Sequence, residues 1–84
     1  MNLLAKVKDL IAKKEKIQPD LIRLDSELLI ELGIDSISFV ELIMEIEMEF
    51  KVKFEKTEFH NFATVKDIVD CLERKQRSKE GSVY

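Results

Sequence analysis

The 84-residue chain has one cysteine, one histidine, one proline, two glycines and no tryptophan. Each scarcity excludes something. A lone cysteine cannot close an internal disulfide, so the fold must rest on packing. One histidine and one cysteine at unrelated spacings cannot build a tetrahedral zinc centre. Gly33 and Gly81 are the only glycines, which leaves no glycine-rich phosphate loop. The acids near Asp35 lack the glycine and alternating oxygen ligands of a calcium loop. No run approaches the roughly 18 apolar residues of a membrane span. The N-terminal MNLLAKVKDLIAKK carries lysines among and after its apolar residues, with no small-residue cleavage site. It reads as an amphipathic helix rather than a signal peptide, so a cytoplasmic protein without membrane contact is expected.

What is present is 45% apolar and 37% charged residues, enough for one small folded domain. Net charge is −3, unevenly spread: +3 over residues 1–19, −8 over 20–50 and +2 over 51–84. The acidic middle third argues against nucleic acid and for a basic protein partner, although by itself a solvated face that keeps the domain soluble is the better reading.

Residues 3–14 place Leu3, Leu4, Val7, Leu10 and Ile11 at helical spacing behind Asn2, a suitable cap. Pro19 ends that helical reading. A long connection to Gly33 follows, with Ile22, Leu24, Leu28, Leu29 and Leu32 expected to pack onto the core and a helical turn after Ser26. Over 36–50, SISFVELIMEIEMEF, one inward face holds Phe39, Leu42, Ile43, Ile46 and Phe50. A second apolar stripe holds Ile37, Val40, Met44 and Met48 between four glutamates, Glu41, Glu45, Glu47 and Glu49. A helix that charged is not buried all round, so the second stripe is read as meeting a partner. FKVKFEK reads as an extended connector pinned by aromatics. A short helix over 57–61 is expected to open at Thr57, with Phe59 and Phe62 inward. The last helix starts at Thr64, paired with Asp67 as a capping box, and buries Val65, Ile68, Val69 and Leu72. Residues 1–75 are the expected domain and 76–84 a disordered polar tail.

Few residues could carry chemistry. A serine nucleophile would need His60 as base, but no GxSxG elbow surrounds Ser36 or Ser38, and His60 reads as a surface residue. Cys71 reads as a half-buried structural thiol. An enzyme is not expected. What remains is a serine at a helix start that another protein could modify. If Asp35 caps the helix, Ser36 lies in its first turn; if Ser38 caps it through Glu41, Ser36 lies just outside. The two readings stand about even. In either, a phosphate ester on Ser36 sits near the positive end of the helix dipole.

LGIDSISFVELIMEIEMEF resembles the core signature of acyl and peptidyl carrier proteins, in which a leucine-glycine-x-aspartate-serine motif opens the second helix. The resemblance covers roughly residues 3–75 and includes DSELLIEL, VELIMEIE and ATVKDIVDCL. It implies an all-α four-helix bundle of acyl-carrier-protein type, with a long first loop and a short third helix. It further implies that Ser36 accepts 4′-phosphopantetheine from coenzyme A through a phosphopantetheinyl transferase, with Asp35 as its motif neighbour. Cargo would ride as a thioester on the arm, placed there by an acyl- or aminoacyl-loading ligase or transferase and passed to synthase enzymes. Ile37, Val40, Glu41, Met44 and Glu47 fall where the family docks its partners, and a monomer is expected. Two departures from fatty-acid carriers stand out. Lys51, Lys53, Lys56 and Lys66 load the second half with positive charge. Phe39, Phe59 and Phe62 lie where those carriers keep an acyl cavity, which bulky rings would fill. With EFHNFATV, these favour a discrete carrier of polyketide or nonribosomal-peptide metabolism over a housekeeping fatty-acid carrier. The rival of another class is an unmodified four-helix interaction module.

Overall fold

The computed structural model describes residues 2–81, with side chains as far as Arg77. Four helices follow in order: α1 (Leu3–Glu15), α2 (Ser36–Phe50), the short α3 (Lys56–Asn61) and α4 (Val65–Gly81). Among the described residues the only bridge of β type is an isolated antiparallel one, Glu27 to Thr64. The all-α expectation holds. Among the described residues no helix is long and apolar enough to cross a membrane.

α1 starts where Asn2 accepts hydrogen bonds from the Leu4 and Ala5 N–H groups, satisfying two of the unpaired donors of a first turn. It stops before Pro19. Lys16 takes a left-handed conformation, φ 57°, and its N–H and that of Ile17 both donate to the Ala12 carbonyl. α2 closes alike: Lys51 has φ 55°, and the Lys51 and Val52 N–H groups donate to the Glu47 carbonyl. Half-buried Ile17 and Val52 lie just past these ends, as the apolar residue after such a closure commonly does. A chain short of glycine thus terminates two helices on lysines.

Val7 and Ile11 of α1, Leu42, Ile43 and Ile46 of α2, and Val65, Ile68 and Leu72 of α4 form one sealed core. Each set recurs at helical spacing, which is why α1 packs on both α2 and α4. The long loop joins them through Ile22, Leu28 and Ile34. It also completes the start of α4. The Val65 N–H donates to the Ser26 carbonyl at 3.1 Å and the Lys66 N–H to the Leu24 carbonyl at 2.8 Å. The Asp67 carboxylate accepts from the Ala63 and Thr64 N–H groups, so the Thr64–Asp67 box forms. Leu24 and Leu29, expected inside, are exposed, because the buried loop positions go to Ile22, Ser26, Leu28 and Ile34.

α3 begins one residue earlier than expected. Its cap is Glu55 rather than Thr57: Glu55 and Glu58 each accept the other's backbone N–H in a reciprocal box. α4 runs on to Gly81, past residue 75 where the domain was expected to stop, since Gln, Arg, Lys and Glu there suit a helix. Residues 82–84 of the expected disordered tail lie outside the described residues.

Candidate functional site

The start of α2 is built by four consecutive residues. Gly33 sits at φ 66°, a left-handed turn that a side chain would strain. Ile34 is buried and anchors the chain directly after the turn. Asp35 then takes the cap position in extended conformation, and its Oδ1 accepts the Ser38 N–H at 2.8 Å. This decides between the two capping readings in favour of Asp35. Ser36 is consequently the first residue of the helix and exposed, while Ser38 is half-buried behind it.

Beside Ser36 opens a groove of about 350 Å³ between α2 and α3. Phe39, Phe59 and Phe62 line it, with Leu29 and Val40. The rings were expected to fill such a space. Instead they gather edge-on: Phe39 to Phe62 at 6.4 Å, and Phe62 and Phe59 each onto buried Phe54 at 5.4 and 6.4 Å. Edge-to-face packing draws the rings together and leaves the groove open beside them. Cavities of about 380 and 410 Å³ lie around Asn2 and Leu3, but charged side chains border them and Ser36 does not.

Lys56 and His60 border the same groove as Ser36. Sequence reasoning missed this. It set His60 aside as a surface residue and weighed Lys56 only as charge, since residues twenty and more apart leave no local signal of meeting. Ser36 and His60 make no hydrogen bond to one another among the described residues. Nor do the described residues bring together a group of His, Cys, Asp and Glu that could hold a metal ion.

The wall made by α3 is held from behind. The Glu58 carboxylate accepts the Glu55 N–H at 2.6 Å, meets the Lys75 ammonium at 3.1 Å and receives the Cys71 thiol at 3.3 Å. Burial pushes the Glu58 carboxyl upward, but these three donors together hold it below the ordinary carboxylate range. Burial, reinforced by Glu58, pushes the Cys71 thiol up. Cys71 is fully buried rather than half-buried, and a protonated, enclosed thiol is inert.

The second stripe of α2 is on the surface: Ile37 is 73% exposed, Val40 45%, Met44 55% and Met48 78%. Leu29 and Ile30 of the loop, 61% and 80% exposed, were not foreseen as surface. The glutamates divide in their tasks. Lys14 of α1 bridges Glu41 at 2.8 Å and Glu45 at 3.6 Å, and Lys6 bridges Glu49 at 3.0 Å. Glu47 is half-buried, and its Oε2 accepts the Phe54 N–H at 2.8 Å. Of the residues expected to meet partners, Ile37, Val40, Glu41 and Met44 lie on the exposed side, whereas Glu47 has a task inside the fold.

The family described as "Phosphopantetheine attachment site" matches residues 5–72. The class is therefore that of proteins bearing a 4′-phosphopantetheine prosthetic group. Among curated relatives, the acyl carrier protein of Phaeodactylum tricornutum is 39% identical over 69 residues, 82% of this chain and 91% of its own. That of Bdellovibrio bacteriovorus is 32% identical over 78 residues, 93% of this chain and all of its own. The crystal structure of the Thermotoga maritima acyl carrier protein superposes with a TM-score of 0.67 at 30% identity, covering 88% of this chain and 94% of that one. The chain belongs to the acyl carrier protein family, whose members are carriers served by phosphopantetheinyl transferases and synthase enzymes.

Proposed function

We propose that Ser36 is the attachment point of the arm, and that the protein carries acyl groups as thioesters between enzymes without catalysing their chemistry. The observation that carries this is the placement of Ser36: exposed, first in α2, set there by Gly33, Ile34 and the Asp35 cap. The hydroxyl fits the group. It is open to a transferase active site, and the groove beside it offers a cation, an imidazole and an apolar wall. Attachment joins Ser36 Oγ to the phosphorus bearing the pantetheine half of coenzyme A. The pyrophosphate bond breaks, 3′,5′-ADP departs, and the transferase takes the hydroxyl proton. Once attached, the arm supplies a mobile thiol for thioester formation.

The cargo is read as an acyl chain of the fatty-acid type. The relatives reported above are named acyl carrier proteins, which favours this reading over the secondary-metabolism carrier expected from the lysines of the second half, the three phenylalanines and EFHNFATV. The docking surface is read as Ile37, Val40, Glu41 and Met44, in which flexible methionine suits a protein serving several enzymes in turn. The deciding experiment is an intact mass after incubation with coenzyme A, magnesium and a broad-specificity phosphopantetheinyl transferase. We expect the gain of one phosphopantetheine on wild type and none on Ser36→Ala. An unmodified wild type would leave an interaction module with this fold; a modified Ser36→Ala would move the site elsewhere.

A further inference from the structure

Lys56 and His60 take no part in the core, and attachment at Ser36 assigns neither of them a particular task. They stand four apart on α3, so they share one face of it, and both border the groove that Ser36 borders. Lys56 forms no ion pair among the described residues. The acids next to it are committed: Glu55 to the α3 cap, Glu58 to Lys75 and Cys71. This edge of the groove therefore offers an ammonium and an imidazole, with the neighbouring carboxylates engaged elsewhere.

We propose that Lys56 and His60 form an anion-holding wall for the phosphodiester of the arm, laying its first segment along the aromatic side of the groove. The proposal rests on attachment at Ser36. Connectivity fixes the occupant. The phosphorus is bonded directly to Ser36 Oγ, so the free phosphate oxygens stay beside a residue that already borders the groove. The thioester end, at the far end of a long flexible chain, is under no such constraint. A phosphodiester carries one negative charge at neutral pH. An ammonium and a ring N–H are the donors that charge-assisted hydrogen bonds to it require. One methylene beyond the phosphate ester oxygen the arm has a carbon bearing two methyl groups, and the rings of Phe59 and Phe62 offer it apolar contact. A carboxylate on the cargo is the rival occupant, but nothing holds it near α3.

The test uses the full chain after transferase treatment, with the arm followed by phosphorus NMR and by cross-relaxation between its methyl groups and the phenylalanine rings. In wild type we expect contacts to Phe59 and Phe62 and a phosphorus signal displaced from that of free phosphopantetheine serine. Lys56→Glu with His60→Ala should lower the docked population about three- to tenfold, as high salt should, because near-surface charge pairs contribute modestly and are screened. Glutamate at the first position of a helix is compatible with folding, and circular dichroism checks it. Lys56→Arg should retain the contacts. Mass gain must be equal in all of these proteins. If wild type gains no mass, attachment itself fails and the wall with it. If mass is gained but the arm contacts are absent, or persist unchanged in the double variant and in salt, only the wall is overturned. Contacts seen solely with a carboxylate-bearing cargo would assign Lys56 and His60 to the cargo instead.

Discussion

Glu47 was expected from the sequence to meet partners, yet its carboxylate accepts the Phe54 N–H at 2.8 Å. The two roles make opposite predictions. Phe54 is the buried ring on which Phe59 and Phe62 pack, with the Lys75 ammonium 5.5 Å from its centre. The Glu47 bond thus fixes the connector between α2 and the wall of the groove. Glu47→Ala leaves that part-buried N–H without its acceptor. Hydrogen bonds to charged groups contribute about 1.5–3 kcal/mol, and partial access of water brings the expected loss to about 1–2 kcal/mol. In a domain of this size that lowers Tm by about 4–16 °C. Glu47→Gln keeps a carbonyl acceptor and should lose about half as much. Glu41→Ala is the control: its carboxylate pairs with Lys14 on the surface, where such pairs contribute little, so the urea midpoint should barely move. Urea denaturation gives the stabilities, and amide exchange at Phe54 reports the bond itself. If Glu47→Ala unfolds at the wild-type midpoint with Phe54 exchange unchanged, while binding to a partner enzyme weakens, the structural assignment is wrong and Glu47 is a docking residue.

Two further outcomes follow from the helix starts. The Asp67 carboxyl is pushed up by burial but more strongly held down by the Ala63 and Thr64 N–H groups, so its pKa in the folded chain lies below the ordinary value. That lowering stabilises the fold at pH values above the unfolded carboxyl's, about 4, and is lost as pH falls through the folded pKa. Asp67→Asn, which cannot titrate, should show a shallower loss of stability in urea titrations run from neutral pH down through about 4; a curve parallel to wild type would count against this account. Asp35→Ala should cost about 1 kcal/mol by removing the α2 cap, and Ser38→Ala clearly less. Thermal denaturation of the pair checks this, and a larger loss in the serine variant would return the cap to Ser38.

Legibility followed the distance over which a feature is decided. The core faces of α1, α2 and α4 were readable because each is a period within a single segment, and Val7, Ile43 and Ile68 are buried as that period requires. Between Asp35 and Ser38 the pattern was silent, since either side chain can cap. The burial of Ile34 decides it, by holding Asp35 at the turn that Gly33 makes. Both αL helix ends fall on lysines, to which no propensity points; they are selected by the closures that leave Ile17 and Val52 half-buried. In the long loop no period exists, so Leu28 and Leu29 were indistinguishable, though one is sealed and the other open.

The site divides along the same line, and this has a consequence for how it can vary. Its serine is set by the three residues directly before it, so it was legible. The wall opposite is α3, which has no fully buried residue of its own. Its position depends on Glu58 meeting Cys71 and Lys75 and on Phe59 packing against Phe54. Those contacts join residues up to seventeen positions apart in sequence, as Glu58 and Lys75 are. Substitutions at Glu58 or Cys71 can therefore widen or close the groove while leaving the cap, the turn and Ser36 intact. The setting of Ser36 and the width of the groove beside it are therefore separable in this chain, one local to the start of α2 and the other held through α4.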